Sequence, residues 1–156
     1  MRRALIPLSL CIALALLAGC TATSVTLSFE AIKPVNQLGE DGTGDSRVVE
    51  VRIYQLKDDA KFKDATVDSL WTDAEGALGD SLIEVKLGES IFPEDKDQAE
   101  GKQITIDPLD ASTKFIGILA LFSSSDDGER KVVVPLDQAD GVLFELTGYH
   151  IVVKSE

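Results

Sequence analysis

The stretch VTLSFEAI, residues 25–32, decides the fold. Val25, Leu27, Phe29 and Ala31 alternate with Thr26, Ser28 and Glu30. Strict alternation describes a strand with one buried and one solvated face. The pattern recurs at VEVRIY, residues 49–54, where Val49, Val51 and Ile53 alternate with Glu50, Arg52 and Tyr54. Further strands are expected at 83–87, 102–106, 114–122 and 131–134. Near the C-terminus Val142, Phe144 and Leu146 occupy even positions, whereas Tyr149, Ile151 and Val153 occupy odd ones. The parity flips at Thr147-Gly148, which marks a tight hairpin or a bulge; we favour the hairpin. About eight short strands separated by turn residues predict a mainly β protein, an antiparallel β-sandwich.

One segment departs from period two. Between 58 and 81, Val67, Leu70, Trp71, Ala74 and Leu78 recur at helical spacing, so a short helical insertion is expected between strands 2 and 3. Thr66 suits its N-cap and Gly79 its C-terminal αL position, with Gly76 expected to break it early. Trp71 reads as packing against the sandwich rather than as a ligand platform.

Ahead of the strands stands LCIALALLAGCTAT, residues 10–23. Arg2 and Arg3 precede an apolar run from Leu5 to Leu17, interrupted only by Pro7 and Ser9. A spanning helix needs about 20 apolar residues, so this run is too short to cross a membrane. A charged start, a short apolar core and small residues at its end describe a secretory signal over residues 1–19. Leu17-Ala18-Gly19-Cys20 resembles the bacterial lipobox, which implies cleavage before Cys20 and lipid on its thiol. Residues 20–24 then form a short tether, and 25–156 a single sandwich domain.

Cys11 and Cys20 are the only cysteines. With one removed and the other lipidated, the body has no thiol for a disulfide, a catalytic cysteine or a thiolate metal site. The whole chain carries 27 acids and 15 bases, a net charge of −12. Losing Arg2 and Arg3 takes the mature body to −14. Such a body is repelled by nucleic acid, and no basic patch argues otherwise. The single histidine, His150, has no acid, base or nucleophile partner legible in the sequence. Two acidic stretches, GEDGTGDS at 39–46 and PEDKDQAE at 93–100, miss the alternating ligand spacing of a calcium loop. With no phosphate loop, nucleophile elbow or zincin motif either, no enzyme and no cofactor are expected, apart from the lipid on Cys20.

The segments VNQLGEDGTGDSRVVEVRIYQL (35–56) and FKDATVDSLWTDAEGALGDSL (62–82) carry a more particular pattern. Together with the lipobox they resemble the TssJ (VasD/SciN-like) family of type VI secretion outer-membrane lipoproteins. Asn36, Gly42, Val49, Val51, Arg52, Ile53, Tyr54, Gln55, Leu56, Phe62, Leu70, Trp71, Leu78 and Gly79 match. After Phe122 the chain departs from the family pattern: Ser123 and Glu129-Arg130 stand where a basic residue and a Trp-Arg pair are expected. The resemblance implies a transthyretin-like sandwich, and Thr21 implies sorting to the outer membrane, where the lipid enters the inner leaflet and the body faces the periplasm. It further implies that the protein anchors the secretion complex by binding the periplasmic domain of the inner-membrane protein TssM. The contacts implied are Val35, Asn36, Gln37, Leu38, Gly39, Glu40, Asp41, Gly42 and Asp45. The alternative is a sandwich lipoprotein for another periplasmic ligand, such as glycan or a hydrolase.

Chain geometry points to the same loop independently. Four residues after Cys20, at no more than ~3.5 Å each, keep strand one near the membrane. About eight strand residues at ~3.3 Å then carry Lys33 roughly 25 Å outward. Loops 33–46, 88–101 and 123–130 should gather at that outer end, with the helical insertion at the anchored end. The three loops hold eleven acids against three bases, which would steer a basic partner.

Overall fold

The computed structural model describes residues 23–37, 44–123 and 129–154. The leader with Cys20, the loop residues Leu38, Gly39, Glu40, Asp41 and Gly42, and Asp126 and Asp127 lie outside the described residues. Nine strands and three short helices follow in order: β1 (Val25–Val35), β2 (Val49–Leu56), α1 (Ala60–Asp64), α2 (Val67–Thr72), α3 (Ala74–Leu78), β3 (Leu82–Ile91), β4 (Pro93–Glu94), β5 (Lys102–Ile106), β6 (Phe115–Leu121), β7 (Lys131–Pro135), β8 (Leu143–Gly148) and β9 (His150–Lys154).

The strands form two facing sheets. One has the order β4-β1-β8-β9 with β5 also paired to β1; the other runs β3-β2-β6-β7. Alternation does what period two requires: Val25, Leu27, Phe29 and Ala31 are buried, as are Val49, Val51 and Ile53. These side chains fill the space between the sheets with Ile116, Ile118, Phe144 and Leu146. Phe29 and Phe144, neighbours on β1 and β8, stack at 5.1 Å between ring centres. The sandwich with its helical insertion is the architecture the alternation predicted.

Its ladders are antiparallel except on β1, which runs parallel to both β8 and the two-residue β4. Topology explains the first of these. β7 finishes with Pro135 beside Phe115, level with the start of β1, so the chain crosses between sheets there. β8 must then set off in the direction of β1. It ends in a two-residue hairpin: Thr147 pairs with His150, and Gly148 takes φ 55°. The turn therefore centres on Gly148-Tyr149, one residue beyond the parity flip.

The insertion is three short helices rather than one. Thr66 caps α2 as expected, its hydroxyl accepting the Ser69 N–H at 3.1 Å. The break falls at Asp73, not at Gly76. Asp73 leaves helical geometry and its carboxylate accepts the Gly76 N–H at 2.9 Å, so it starts α3 anew. Gly76 is the residue that admits this cap: a Cβ there would stand 2.1 Å from Asp73 Oδ2. Phe62, Leu70 and Leu78 are buried against Tyr54, Leu56 and Leu119, with Trp71 packed on that cluster. This second core covers the outer face of the β2 sheet. Gly117 lets it close, since a Cβ on Gly117 would meet the Phe62 ring at 2.9 Å.

Strand directions set two ends. Thr23, the β2–α1 junction, the return of the helical insertion into β3 and the 136–142 turn share the end where β1 begins, while the helices themselves lie along the outer face of the β2 sheet as far as Arg52 and Lys131. Residues 36–37, 44–48, 92–101, 122–123 and 129–130 and the Gly148-Tyr149 hairpin share the end where β1 finishes.

Candidate functional site: the loop end of the sandwich

The VEVRIYQL motif, the most distinctive segment of the sequence, holds the fold together. Arg52 and Tyr54 point outward from β2 and meet the C-terminus of α2, where carbonyls lack helical partners. Arg52 Nη1 donates to the Trp71 carbonyl at 2.6 Å while its guanidinium lies 3.4 Å above the Trp71 ring. Tyr54 donates its hydroxyl to the Leu70 carbonyl at 3.0 Å. Burial pushes the Tyr54 phenol up, with the nearby Arg52 charge opposing. Gln55 faces the other way and pins the β5–β6 connection. Its Oε1 accepts from the Asp110 N–H at 3.0 Å and the Thr113 hydroxyl at 2.8 Å. Lys131, at the start of β7, donates to the carbonyls of Phe62, Lys63 and Ala65, which fixes the C-terminus of α1. Burial lowers the Lys131 ammonium despite the opposing charge of Asp64.

The opposite end is built differently. β1 skips two residues against β8: Ile32 pairs with Thr147, but the next partnership is Val35 with Gly148. Pro34 falls in this bulge, where a residue without an N–H costs the ladder nothing. Beyond it Asn36 takes φ 46°, a left-handed conformation that asparagine tolerates better than most residues. Its N–H donates to the Gly148 carbonyl at 2.8 Å. Its side-chain amide donates to the Val48 carbonyl at 2.7 Å, and its Oδ1 accepts the Ser123 N–H at 2.6 Å. One residue thus ties the first loop to β2, to the β6–β7 loop and to the final hairpin.

Gln37 extends the junction. Its carbonyl accepts the Tyr149 hydroxyl at 2.9 Å and the Ser123 hydroxyl at 3.2 Å. Its side chain donates to the Gly44 carbonyl at 2.6 Å, across the neck of the loop. Ser46 Oγ accepts the Val35 N–H at 3.1 Å. Edge-on packing of Tyr149 against Phe122 supports the junction from below.

These contacts divide the expected partner-binding residues. Val35 is fully buried and Asn36 is 6% exposed with its polar groups engaged internally. Both therefore form the base of the loop in the chain by itself. Gln37 is half-buried and Asp45 exposed. With Lys33, Pro34, Gly44 and Ser46 they line an open groove of about 600 Å³.

Two surface residues escaped the sequence reading. Phe92 is 66% exposed and Val48 38%. Each is the next residue outward after the buried Val49–Ile91 pair, so alternation turns both to the opposite face. A signal was present: Phe92-Pro93 interrupts the β3 pattern just before the acidic 94–100 segment.

Charges at this end are partly paired. Lys33 meets Asp95 at 3.5 Å, and Glu89 accepts from Lys102 at 2.9 Å and lies 3.5 Å from Lys86. The Lys102 hydrogen bond, above all, holds the Glu89 carboxyl below its usual range. Among the described residues Asp45, Glu50, Asp97 and Glu100 form no ion pair. Among them also, no three His, Cys, Asp or Glu side chains converge as metal ligands. His150 Nδ1 accepts the Glu129 N–H at 3.3 Å, a strut for the β6–β7 loop.

Residues 23–155 match the family described as "Type VI secretion lipoprotein, VasD, EvfM, TssJ". Among solved structures, the chain is similar to the Serratia marcescens Lip protein, a membrane-bound component of the type VI secretion system. The two are 21% identical over 85% of this chain and 97% of that one, with a TM-score of 0.71. It is similar also to the type VI lipoprotein TssJ1 of Pseudomonas aeruginosa, at 23% identity over 86% and 96% of the two chains and a TM-score of 0.68. A third similar chain is in a structure described as the TssM C-terminal domain from EAEC, at 26% identity over 85% and 98% and a TM-score of 0.65. No curated protein matches. A two-sheet sandwich with its helical cap, and a family match over nearly the whole described chain, lead to one assignment: the chain belongs to the type VI secretion lipoprotein family, TssJ.

Proposed function

We propose that this lipoprotein, held by lipid on Cys20 in the inner leaflet of the outer membrane, anchors the type VI membrane complex by binding the periplasmic domain of a TssM-like inner-membrane protein. The observation that carries the reading is the polarity of the sandwich. β1 begins at Val25, with four residues between it and Cys20, and its other end leads into a loop whose base is tied to three neighbouring segments through Asn36. A base held in this way costs little further ordering when a partner binds, which favours affinity. The contacts we assign are Gln37, Leu38, Gly39, Glu40, Asp41, Gly42 and Asp45, with Val35 and Asn36 holding the base. The acidic loops at the same end would raise the association rate with a basic surface, an effect that salt screens.

The test is binding of the mature lipoprotein, in detergent, to the periplasmic domain of a TssM from the same organism. Replacing 38–44 by a two-residue turn should weaken binding at least about a hundredfold, as loss of a central contact does. Loop closure changes by only ~0.6 kcal/mol per doubling of length, so the melting temperature should hold. Unchanged affinity with an intact fold would place recognition elsewhere.

A further inference from the structure

Phe92 has no structural reason to be aromatic. It stands where the chain leaves β3 for β4, crossing from one sheet to the other, and two-thirds of its surface is solvated. Its neighbours Ile91 and Pro93 already complete the fold: Ile91 is buried opposite Val49, and Pro93 pairs with Ala31. Val48 lies next outward on the adjacent strand and is also exposed. Ser46, Arg47, Val48, Glu50, Pro93 and Phe122 line an open groove of about 660 Å³ there, which reaches Asn36 and so adjoins the first loop.

Around this apolar spot carboxylates outnumber bases, with Arg47 the one base that lines the groove. Glu50 lies inside the groove, and Glu94, Asp95, Asp97 and Glu100 follow Phe92 within eight residues, against Lys96 alone. Glu94 is engaged by the N–H groups of Glu100 and Gly101, and Asp95 by Lys33. Among the described residues Glu50, Asp97 and Glu100 remain without an ion pair. An exposed aromatic ringed by charges that face water is the anatomy of a binding anchor: the aromatic loses water on contact, while the rim orients the approach.

We infer that Phe92 and Val48 form a second contact surface beside the first loop, for a partner surface that offers an apolar pocket framed by lysine or arginine. This rests on the reading that the loop end faces the partner. Phe92 enters the pocket, and Asp97 and Glu100 face the flanking cations.

The experiment uses the mature lipoprotein in detergent and the TssM periplasmic domain as probe, with a thermal melt for every variant. Phe92→Ser should weaken binding about tenfold to a hundredfold, mainly through faster dissociation. Its melting temperature should hold, because two-thirds of the residue is already solvated. Val48→Ser should act in the same direction and less strongly. The pair Asp97→Asn and Glu100→Gln should slow association at low salt and flatten its salt dependence. Val152→Ser, which removes an equally exposed apolar side chain from β9, should change nothing. Wild-type affinity for Phe92→Ser, with the loop-shortened protein defective, would overturn this inference and leave the loop reading standing. Failure of the wild-type protein to bind would overturn both.

Discussion

A Cys20→Ser variant is expected to fold normally, to leave the membrane fraction entirely and to abolish secretion. Every element of both sheets lies at or beyond Val25, and the described fold closes at Thr23, whose carbonyl accepts the Leu109 N–H at 2.8 Å. The substitution therefore touches no core contact among the described residues. Attachment is another matter. A single acyl chain binds a bilayer only marginally, each buried CH₂ contributing ~0.8 kcal/mol, so stable anchoring needs more than one chain. No helix among the described residues is long and apolar enough to span a membrane in its place. Fractionation and a secretion assay check the expectation. Normal secretion by a soluble variant would mean that the lipid is dispensable and that the tethering role is wrong.

The second large effect is expected at Asn36. Asn36→Ala should cost about 2–4 kcal/mol of stability by denaturant unfolding. Two contributions add. Alanine at φ 46° pays about 1 kcal/mol or more of backbone strain. Removing the amide also deletes two part-buried hydrogen bonds, to the Val48 carbonyl and from the Ser123 N–H, at about 0.5–1.5 kcal/mol each. Asn36→Gly separates the two, since glycine adopts the backbone freely and loses only the hydrogen bonds. It should fall between wild type and alanine. Equal losses for both variants would show that strain plays no part; no loss in either would remove Asn36 from the junction altogether.

Asn36 also shows where sequence reading reaches its limit. Alternation located the strands well, because period two is a local property of residues such as Val25, Leu27 and Phe29. The bounds of β5, Lys102–Ile106, coincide with the expected ones. The helical stripe was equally legible, and Thr66 caps as its side chain suggests. β4 was not legible: two residues carry no period, and Pro93-Glu94 pairs with β1 only because the chain crosses there. The break at Asp73 went to Gly76 in the sequence reading because glycine is the usual breaker, whereas here a carboxylate recaps the chain. The parallel partnership of β1 and β8 is a property of connection, set by where β7 ends.

For the candidate site the limit is sharper. Charge and chain length indicated which end carries the loops, and strand directions agree. Composition could not separate Val35, Asn36 and the half-buried Gln37, which build the loop's base, from Asp45, which faces solvent. That distinction depends on Ser123, Gly148 and Tyr149, residues roughly a hundred positions away. Phe92 was missed for a different reason. The sequence places it within the acidic 88–101 loop, and only its position beside the buried Ile91 together with its 66% exposure singles it out.

The most direct test of the account is a photo-crosslink in intact cells. A photoreactive residue at Asp45 samples the loop end, and one at Asp137, equally exposed, samples the anchored end. The account predicts adducts with the inner-membrane TssM partner from position 45 and none from position 137. Adducts from 137 alone would contradict it, because the partner would then approach the sandwich from the membrane-proximal side.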